Sequence, residues 1–450
     1  MLECSHENLE KRKKKMLLFT IEILIMILAI VLGLRTAGAL GCGIFALVAQ
    51  IVMIFGFGLP PGSAPVTAVL IILSIGIAGG TLQATGGIDY LVHLASKMIE
   101  RFPKSIIFIA PMIVFVFVFG IGTTNIALSL EPIIAKTALK ARIQPKKALT
   151  ASVLTANIAL LCSPAASATA YMISEFAGLG ISMGQYLSIV LPTALLSMLV
   201  LSCFNTFVGR TKIDEQHAQT MLQKMAVDQE ETTKQYDTRV KLGVFAFIVA
   251  VGFILLFGIF PEVGPKFQVD GKVVELQMTD LVQLFMYMSA MINLLLVKVQ
   301  PNQILTTHIT QAAIGAIFAV LGPGWLGATI FSAPSNRAMM EDGIGGLIAQ
   351  APWLIIILVG LVAMIVISQS ATASIMVPIV LSLGIPPMFF IAIVQTLNVN
   401  FVIPAQPTIL FAVDVDETRS TKVTSFLIPG FFLITTTVVI GLTIKTILGM

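Results

Sequence analysis

The residues of this chain best placed to do chemistry are uncharged. They are hydroxyls, amides and glycines at interruptions of long apolar runs. Two interruptions form a pair: Gly120-Ile121-Gly122-Thr123-Thr124-Asn125 and Ser368-Gln369-Ser370-Ala371-Thr372. Two more contain proline: Ser163-Pro164-Ala165-Ala166-Ser167 and Ile403-Pro404-Ala405-Gln406-Pro407-Thr408. A backbone break inside an apolar solvent is tolerated only where it lines a cavity or is buried in protein. At such a break, helix N-termini expose N–H groups and a positive dipole end, and glycine lets the backbone approach closely. Together these features bind a carboxylate without a buried Lys or Arg. The candidate substrate-binding residues are Gly122, Thr123, Thr124, Asn125, Ser163, Ser167, Gln369, Ser370, Thr372, Gln406 and Thr408. Two donor clusters facing each other suit an anion with a carboxylate at each end. The competing explanation is that Ser, Thr and small residues merely pack helices together in a membrane.

Ionisable residues in apolar surroundings are few. Glu131, beside Pro132 and about one turn from Lys136, suggests an ion pair near the interface rather than a proton relay. Glu22 can snorkel or pair with the basic run before it. Asp89 and His93 lie on an amphipathic piece expected at the interface. Arg337 is expected in a loop, followed by Glu341 and Asp342. Catalytic machinery is not visible. Gly322 to Gly327 has P-loop spacing but continues Ala328-Thr329, without Lys-Ser/Thr, and predicts a turn. No H-E-x-x-H or G-x-S-x-G is present, and the four histidines are scattered. Cys4, Cys42, Cys162 and Cys203 lack metal-type spacing and suggest small packing residues rather than disulfides or ligands.

The elements that hold these residues must lie in lipid. Of the 450 residues, 57% are apolar and only 11% charged, against roughly a quarter charged in a soluble domain. A net charge of +4 is too small and too scattered for nucleic acid. The uncharged runs sum to about ten to twelve membrane elements. The longest, Gly343 to Val413, would hold about three passes. The basic run Lys11 to Lys15 before the first apolar stretch suggests a cytoplasmic N-terminus, and the lack of an A-x-A site argues against a cleaved signal peptide. The basic clusters Lys97–Lys104 and Lys136–Lys147 should share the cytoplasmic face. Between them only Ser105 to Phe119 leads into the Gly120 turn, about 22 Å at helical rise, so a re-entrant hairpin fits as well as two short spans. Residues 209–240 form a charged cytoplasmic linker with a helical stretch around Gln216 to Met225. A shorter polar stretch, Pro261–Asp280, suggests a turn at the opposite face. The expected organisation is a basic extension (1–15), a first transmembrane repeat (16–208), the linker (209–240) and a second repeat (241–450). The halves share an order: polar break, Pro132 or Pro378, an Ile-x-Pro at Pro145 or Pro387, Asn157 or Asn398, then a proline break. Matching broken helices in two halves are the pattern of secondary transporters.

At these residues the chain resembles the anaerobic C4-dicarboxylate transporter (Dcu) family. The matching pieces are Gly80-Thr81-Leu82-Gln83-Ala84-Thr85-Gly86-Gly87-Ile88-Asp89, the Gly120–Gly122 turn, Cys162-Ser163-Pro164, Gly324-Trp325-Leu326-Gly327, Pro352-Trp353, Ser368-Gln369-Ser370-Ala371, Ile403 through Pro407, and Phe426-Leu427-Ile428-Pro429-Gly430. The likeness covers almost the whole chain beyond the N-terminal extension. It implies bacterial inner-membrane uptake, exchange and efflux of fumarate, succinate, malate and aspartate, and the inverted-repeat architecture of the ion-transporter superfamily. Departures occur where the family carries Gly-Thr-Gly-His, Trp-Met-x-Asp and Pro-Ser-Asp. This chain has Gly120-Ile121-Gly122-Thr123, Trp325-Leu326-Gly327-Ala328 and Pro407-Thr408-Ile409. These bear on substrate and coupling ion more than on fold.

The expectation is therefore an all-α polytopic membrane protein of two inverted repeats with re-entrant or broken helices. It would be a secondary transporter and not an enzyme, working by exchange or cation coupling. Its partners would be a small dicarboxylate and the lipid bilayer. No cofactor is expected, with Na+ or H+ open as coupling ion and a homo-oligomer open as its assembly. The alternatives are a carrier of another small organic anion or amino acid, and a non-transporting membrane sensor that docks through the linker.

Overall fold

The computed structural model describes residues 2–209, 212–227, 235–269, 272–340, 351–403 and 406–450. The first half contains α1 (Leu2–Ile51), α2 (Val66–Ala84), α3 (Gly87–Arg101), α4 (Ile106–Ile121), α5 (Asn125–Lys140), α6 (Pro145–Leu160), α7 (Ser167–Ala177) and α8 (Met183–Phe207). The linker holds α9 (Glu215–Val227), where the sequence placed a helical stretch. The second half contains α10 (Thr238–Ile259), α11 (Met278–Leu296), α12 (Pro301–Leu305), α13 (His308–Ser332), α14 (Pro334–Met340), α15 (Leu354–Val366), α16 (Gln369–Ser382), α17 (Pro387–Ala392), α18 (Pro407–Asp414) and α19 (Leu427–Ile447). The strands among the described residues are one antiparallel hairpin, β1 (Lys266–Val269) with β2 (Lys272–Glu275), within the polar stretch expected as a turn. Among these residues, 8 helices are long and apolar enough to cross a membrane, and the chain is a multi-pass membrane protein. Apolar side chains such as Phe245, Leu284, Leu361 and Ile428 stand exposed on the outside, as a bilayer solvent requires.

The 50 residues of α1 would span about 75 Å as a straight rod, over twice a crossing. They are not straight. Ala37 (φ −147°, ψ 32°) and Gly38 (φ 57°, ψ −138°) leave the helical region. A Cβ on Gly33 would lie 2.4 Å from the Gly41 carbonyl oxygen, although residues eight apart in a straight helix are about 12 Å apart. The chain doubles back, so α1 is two arms. Its second arm packs against α13, where a Cβ on Gly322 would sit 2.3 Å from the Gly43 carbonyl oxygen. This corrects one expectation: Gly322 to Gly327 lie inside a helix, not in a turn. At Gly322 the small size serves backbone-to-backbone packing between membrane helices, and at Gly324 and Gly327 it admits side chains of neighbouring elements.

Helices α2, α10, α11 and α13 pack alongside one another. The remaining elements come in two similar sets. In the first, α4 and α5 form a helical hairpin that packs on α6, and α6 breaks at residues 161–166 before α7. In the second, α15 and α16 form a hairpin that packs on a 3-10 segment, Val394–Phe401, which follows α17 and breaks before α18. The run from Gly343 to Val413 was expected to hold about three passes. Its described part consists of short pieces, α15 to α18 and the 3-10 segment, because its polar and proline residues interrupt every helix. The arms of the first hairpin have 16 residues each, about 24 Å and short of a full crossing. Lys140 lies 3.8 Å from Glu100, so the two basic clusters flanking this hairpin do meet on one face. The linker joins the same region: Ile143 bridges Lys212, and Arg142 pairs with Glu215.

Several charged residues sit differently from expectation. Glu22 neither snorkels nor meets the basic run; it is buried and accepts a 2.6 Å hydrogen bond from Asn336 Nδ2. Glu131 is fully buried, and neither carboxyl oxygen has a hydrogen-bond partner among the described residues. It is no interface ion pair, because α5 turns that face into the protein. Arg337 lies in the short helix α14, not in a loop, while Glu341 and Asp342 fall outside the described residues. Asp89 is exposed and His93 half-buried, with Tyr236 against His93 and its hydroxyl on the Asp89 carbonyl. Cys42 and Cys162 are buried packing residues, whereas Cys203 is exposed.

Candidate functional site

Each hairpin tip turns on one residue with left-handed backbone. In the first it is Gly122 (φ 75°), in the second Ile367 (φ 61°). The first tip is seated against the α6–α7 break: a Cβ on Gly122 would lie 2.0 Å from the Ala165 carbonyl oxygen. Ser163 Oγ fastens the same contact, donating to the Phe119 carbonyl at 2.6 Å and accepting from Ala165 N–H at 3.2 Å. The second tip is held by hydrogen bonds. Ser368 caps α16 through Ala371 N–H at 3.4 Å, and Asn400 Nδ2 donates to the Ile367 carbonyl at 3.2 Å.

The two tips bring helix N-termini together. Ser167 opens α7 and Ser370 lies in the first turn of α16; their hydroxyls are 2.6 Å apart. A third N-terminus stands nearby. Gln406 precedes α18 without capping it, and its Oε1 accepts from Asn157 Nδ2 at 2.9 Å. Around this meeting point lies a chain of buried amides. Gln369 Nε2 donates to the Asn157 carbonyl at 3.1 Å and to Asn398 Oδ1. Asn398 Nδ2 donates to Gln395 Oε1 at 2.7 Å, and Gln395 Nε2 to the Ile158 carbonyl at 3.2 Å. Several of these bonds join one half of the chain to the other. Gln369 Oε1 and Asn400 Oδ1 are buried acceptors with no partner among the described residues.

Of the sequence-derived candidates, Gly122, Ser163, Ser167, Gln369, Ser370 and Gln406 belong to this junction. Thr123 and Thr124 form the first tip, where Thr123 Oγ1 accepts from Asn125 N–H. Asn125 points elsewhere, with its Nδ2 2.8 Å from His308 Nδ1 on α13. The Thr372 hydroxyl is spent on its own helix, donating to the Ser368 carbonyl at 2.7 Å. Thr408 is buried in the first turn of α18. Pro404 and Ala405 lie outside the described residues. Gln395 and Asn400 were not among the candidates, and Asn157 and Asn398 served only to align the halves. Their signal was present: Gln395-x-x-Asn398-x-Asn400 places three amides within six positions of an apolar run.

The chemistry on offer is anion binding without a cation. Two helix N-termini, of α7 and α16, each carry about half a positive charge and unpaired N–H groups. Meeting at Ser167 and Ser370, they repel unless negative charge lies between them. A different cavity, about 300 Å³, lies between α1, α13, α15 and α16. Its lining is wholly apolar, from Phe19 and Met26 to Ile375 and Leu383, and it offers no donor to an anion.

The family model described as anaerobic C4-dicarboxylate membrane transporter matches residues 18–449. The C4-dicarboxylate transporter DcuA of Wolinella succinogenes is 30% identical over 439 residues, 95% of this chain and 99% of its own length. DcuA of Escherichia coli K12 is 30% identical over 429 residues, 95% and 98% of the two chains. The anaerobic C4-dicarboxylate transporter DcuB of Escherichia coli O6:H1 is 26% identical over 446 residues, 96% and 98% of the two chains. A solved structure of Neisseria gonorrhoeae MtrF, described with a class of antimetabolite efflux pumps, aligns over 94% of each chain at TM-score 0.48 and 12% identity. That likeness is too loose to argue from.

Proposed function

The chain belongs to the anaerobic C4-dicarboxylate membrane transporter family, and from that premise we propose that it carries small dicarboxylates across the bacterial inner membrane as a secondary transporter. The family is one of membrane transporters, not enzymes. The observation that carries the substrate class is the 2.6 Å contact between Ser167 and Ser370, where the N-termini of α7 and α16 converge. A dianion such as fumarate or succinate spans two donor groups, and each terminus serves one carboxylate. The hydroxyls of Ser167 and Ser370 then turn from each other to the substrate. Gln369, Asn157, Asn398 and Gln406 hold the two termini in register. The free acceptors Gln369 Oε1 and Asn400 Oδ1 suit a substrate that brings its own donor, the hydroxyl of malate or the ammonium of aspartate.

The matching hairpin and broken helix in each half support a frame of two repeats inserted in opposite senses. In this structure the junction is closed: Gln369, Ser370 and Asn157 are all buried. Access alternates as the hairpins and broken helices move against α2, α10, α11 and α13. The cycle runs either by exchange of one dicarboxylate for another or by coupling to a cation gradient. The test is counterflow in proteoliposomes holding the purified chain. Vesicles loaded with succinate are expected to take up labelled fumarate, malate and aspartate, and monocarboxylates to compete poorly. Failure to move any of the four dicarboxylates rejects the proposal, and equal competition by a monocarboxylate rejects the two-ended site.

A further inference from the structure

Among the described residues, Glu131 is the buried carboxyl that its surroundings leave unexplained. Asp416 is also fully buried, but its carboxylate accepts from Thr418 N–H, Ser420 Oγ and Thr421 N–H and Oγ1. Glu22 has Asn336. Glu131 has nothing: it shows no exposed surface, and both oxygens are without a hydrogen-bond partner among the described residues. The charged groups on the elements packed against α5 do not compensate. Glu100 is near Lys140, Glu215 pairs with Arg142, and Lys147 donates to the Val208 carbonyl. The elements packed against α5 also carry Asp89, His93, Lys97, Arg101, Lys104, Lys146 and Asp414, and α5 itself Lys136, and none of them hydrogen-bonds the Glu131 carboxyl.

An isolated carboxylate in such a place costs several kcal/mol, whereas the neutral acid leaves only a hydroxyl unpaired. Position adds meaning to this. Glu131 stands six residues from Asn125, about 9 Å down α5 from the first tip, on the hairpin that bears on the α7 N-terminus. Pro132, its neighbour, removes a backbone hydrogen bond and gives α5 a place to bend. Thr137 on α5, and Ser152 and Thr155 on the adjoining α6, are further buried hydroxyls without partners among the described residues.

We propose that Glu131 is a proton-binding site built into the first hairpin, loaded and emptied as the substrate junction changes sides. This rests on the dicarboxylate reading above. When the hairpin opens to one side, water reaches the Glu131 carboxylate, an O–H bond of hydronium breaks and the carboxyl O–H bond forms. The closed state described here carries the neutral acid. On opening to the other side, that O–H bond breaks and the proton passes to water there. The proton offsets one negative charge of a substrate for which the site itself provides no cation.

The test uses the full chain in proteoliposomes, with labelled fumarate as the probe. For one coupled proton, an inward gradient of one pH unit should raise accumulation about tenfold in the wild type. Glu131→Gln, a neutral isostere, should lose that response and retain counterflow at equal pH. Glu131→Asp, which keeps a carboxyl, should retain the response. Gln and Asp variants that answer the gradient alike overturn the assignment, whether both respond or neither does. So does a sodium gradient that replaces the proton gradient in full. Wild-type counterflow without any gradient response sinks this proposal alone. No counterflow of any dicarboxylate sinks the substrate reading on which it rests.

Discussion

The two hairpin tips solve the same problem by different means. Each must reverse the chain beside the point where α7 and α16 begin. The first does so with Gly122, for which a positive φ is free of strain, and adds close packing against Ala165 to the Ser163 hydrogen bond on Phe119. The second does so with Ile367, a β-branched residue for which left-handed backbone costs about 1–3 kcal/mol. It is held by polar bonds from Asn400 and Ser368. A tip fixed by contact cannot yield without unpacking. A strained tip fixed by hydrogen bonds yields when those bonds find another partner. The second tip, which also supplies Gln369 and Ser370, is therefore expected to be the looser of the two.

Substitutions can break or sharpen that contrast. Gly122→Ala drives a methyl into the Ala165 carbonyl and should cost about 3 kcal/mol or more, seen as a lowered unfolding midpoint in detergent and loss of counterflow. Gln369→Leu removes the hub of the amide chain and strands Asn398. A cost of about 2 kcal/mol should accompany a loss of uptake of about tenfold or more, because the second tip is held by just such bonds. Ser167→Ala and Ser370→Ala should each raise the KM for fumarate about fivefold, near 1 kcal/mol. The double variant should fall short of the product of the two, and strictly multiplicative losses would show that the hydroxyls do not act as a pair. Asn125→Ala breaks only a part-exposed link to His308 and should cost less than about 0.5 kcal/mol, with counterflow nearly unchanged. Ile367→Gly should move stability the other way or not at all, with a gain of up to about 1 kcal/mol as the strain is relieved. Equal losses at Gly122 and Ile367 would erase the distinction between the tips.

What could be seen in advance follows from where the information lies. Breaks at residues 120–125 and 368–372 are written locally, as glycine, proline and polar residues in apolar runs. The order of Asn157 and Asn398 after each Ile-x-Pro is likewise a linear property. The partners are not. Asn157 meets Gln406 across 249 positions and Asn125 meets His308 across 183, and no local pattern announces which amide finds which. Glu131 looked like one half of a surface pair because Lys136 is near it in the chain, but the face that α5 turns inward decides its fate. Gly322 to Gly327 misled for a related reason. Glycines that would end a helix in water are tolerated within α13 because neighbouring elements fill the space beside them, the α1 backbone at Gly322 and side chains such as Ser374 and Pro378 at Gly324 and Gly327.

The reversal at Ala37–Gly38 has a further effect, on sidedness. With α1 as two passes and α2 as a third, an odd number of crossings separates Lys15 from Lys97. Lys11 to Lys15 and the basic groups from Lys97 onward then emerge on opposite sides of the bilayer, and only one set can be cytoplasmic. The first set has five cations, while Lys97, Arg101, Lys104, Lys136, Lys140, Arg142, Lys146 and Lys147 make eight. A tag at the amino end and one beside Lys97 are therefore expected to label from opposite sides of the bilayer.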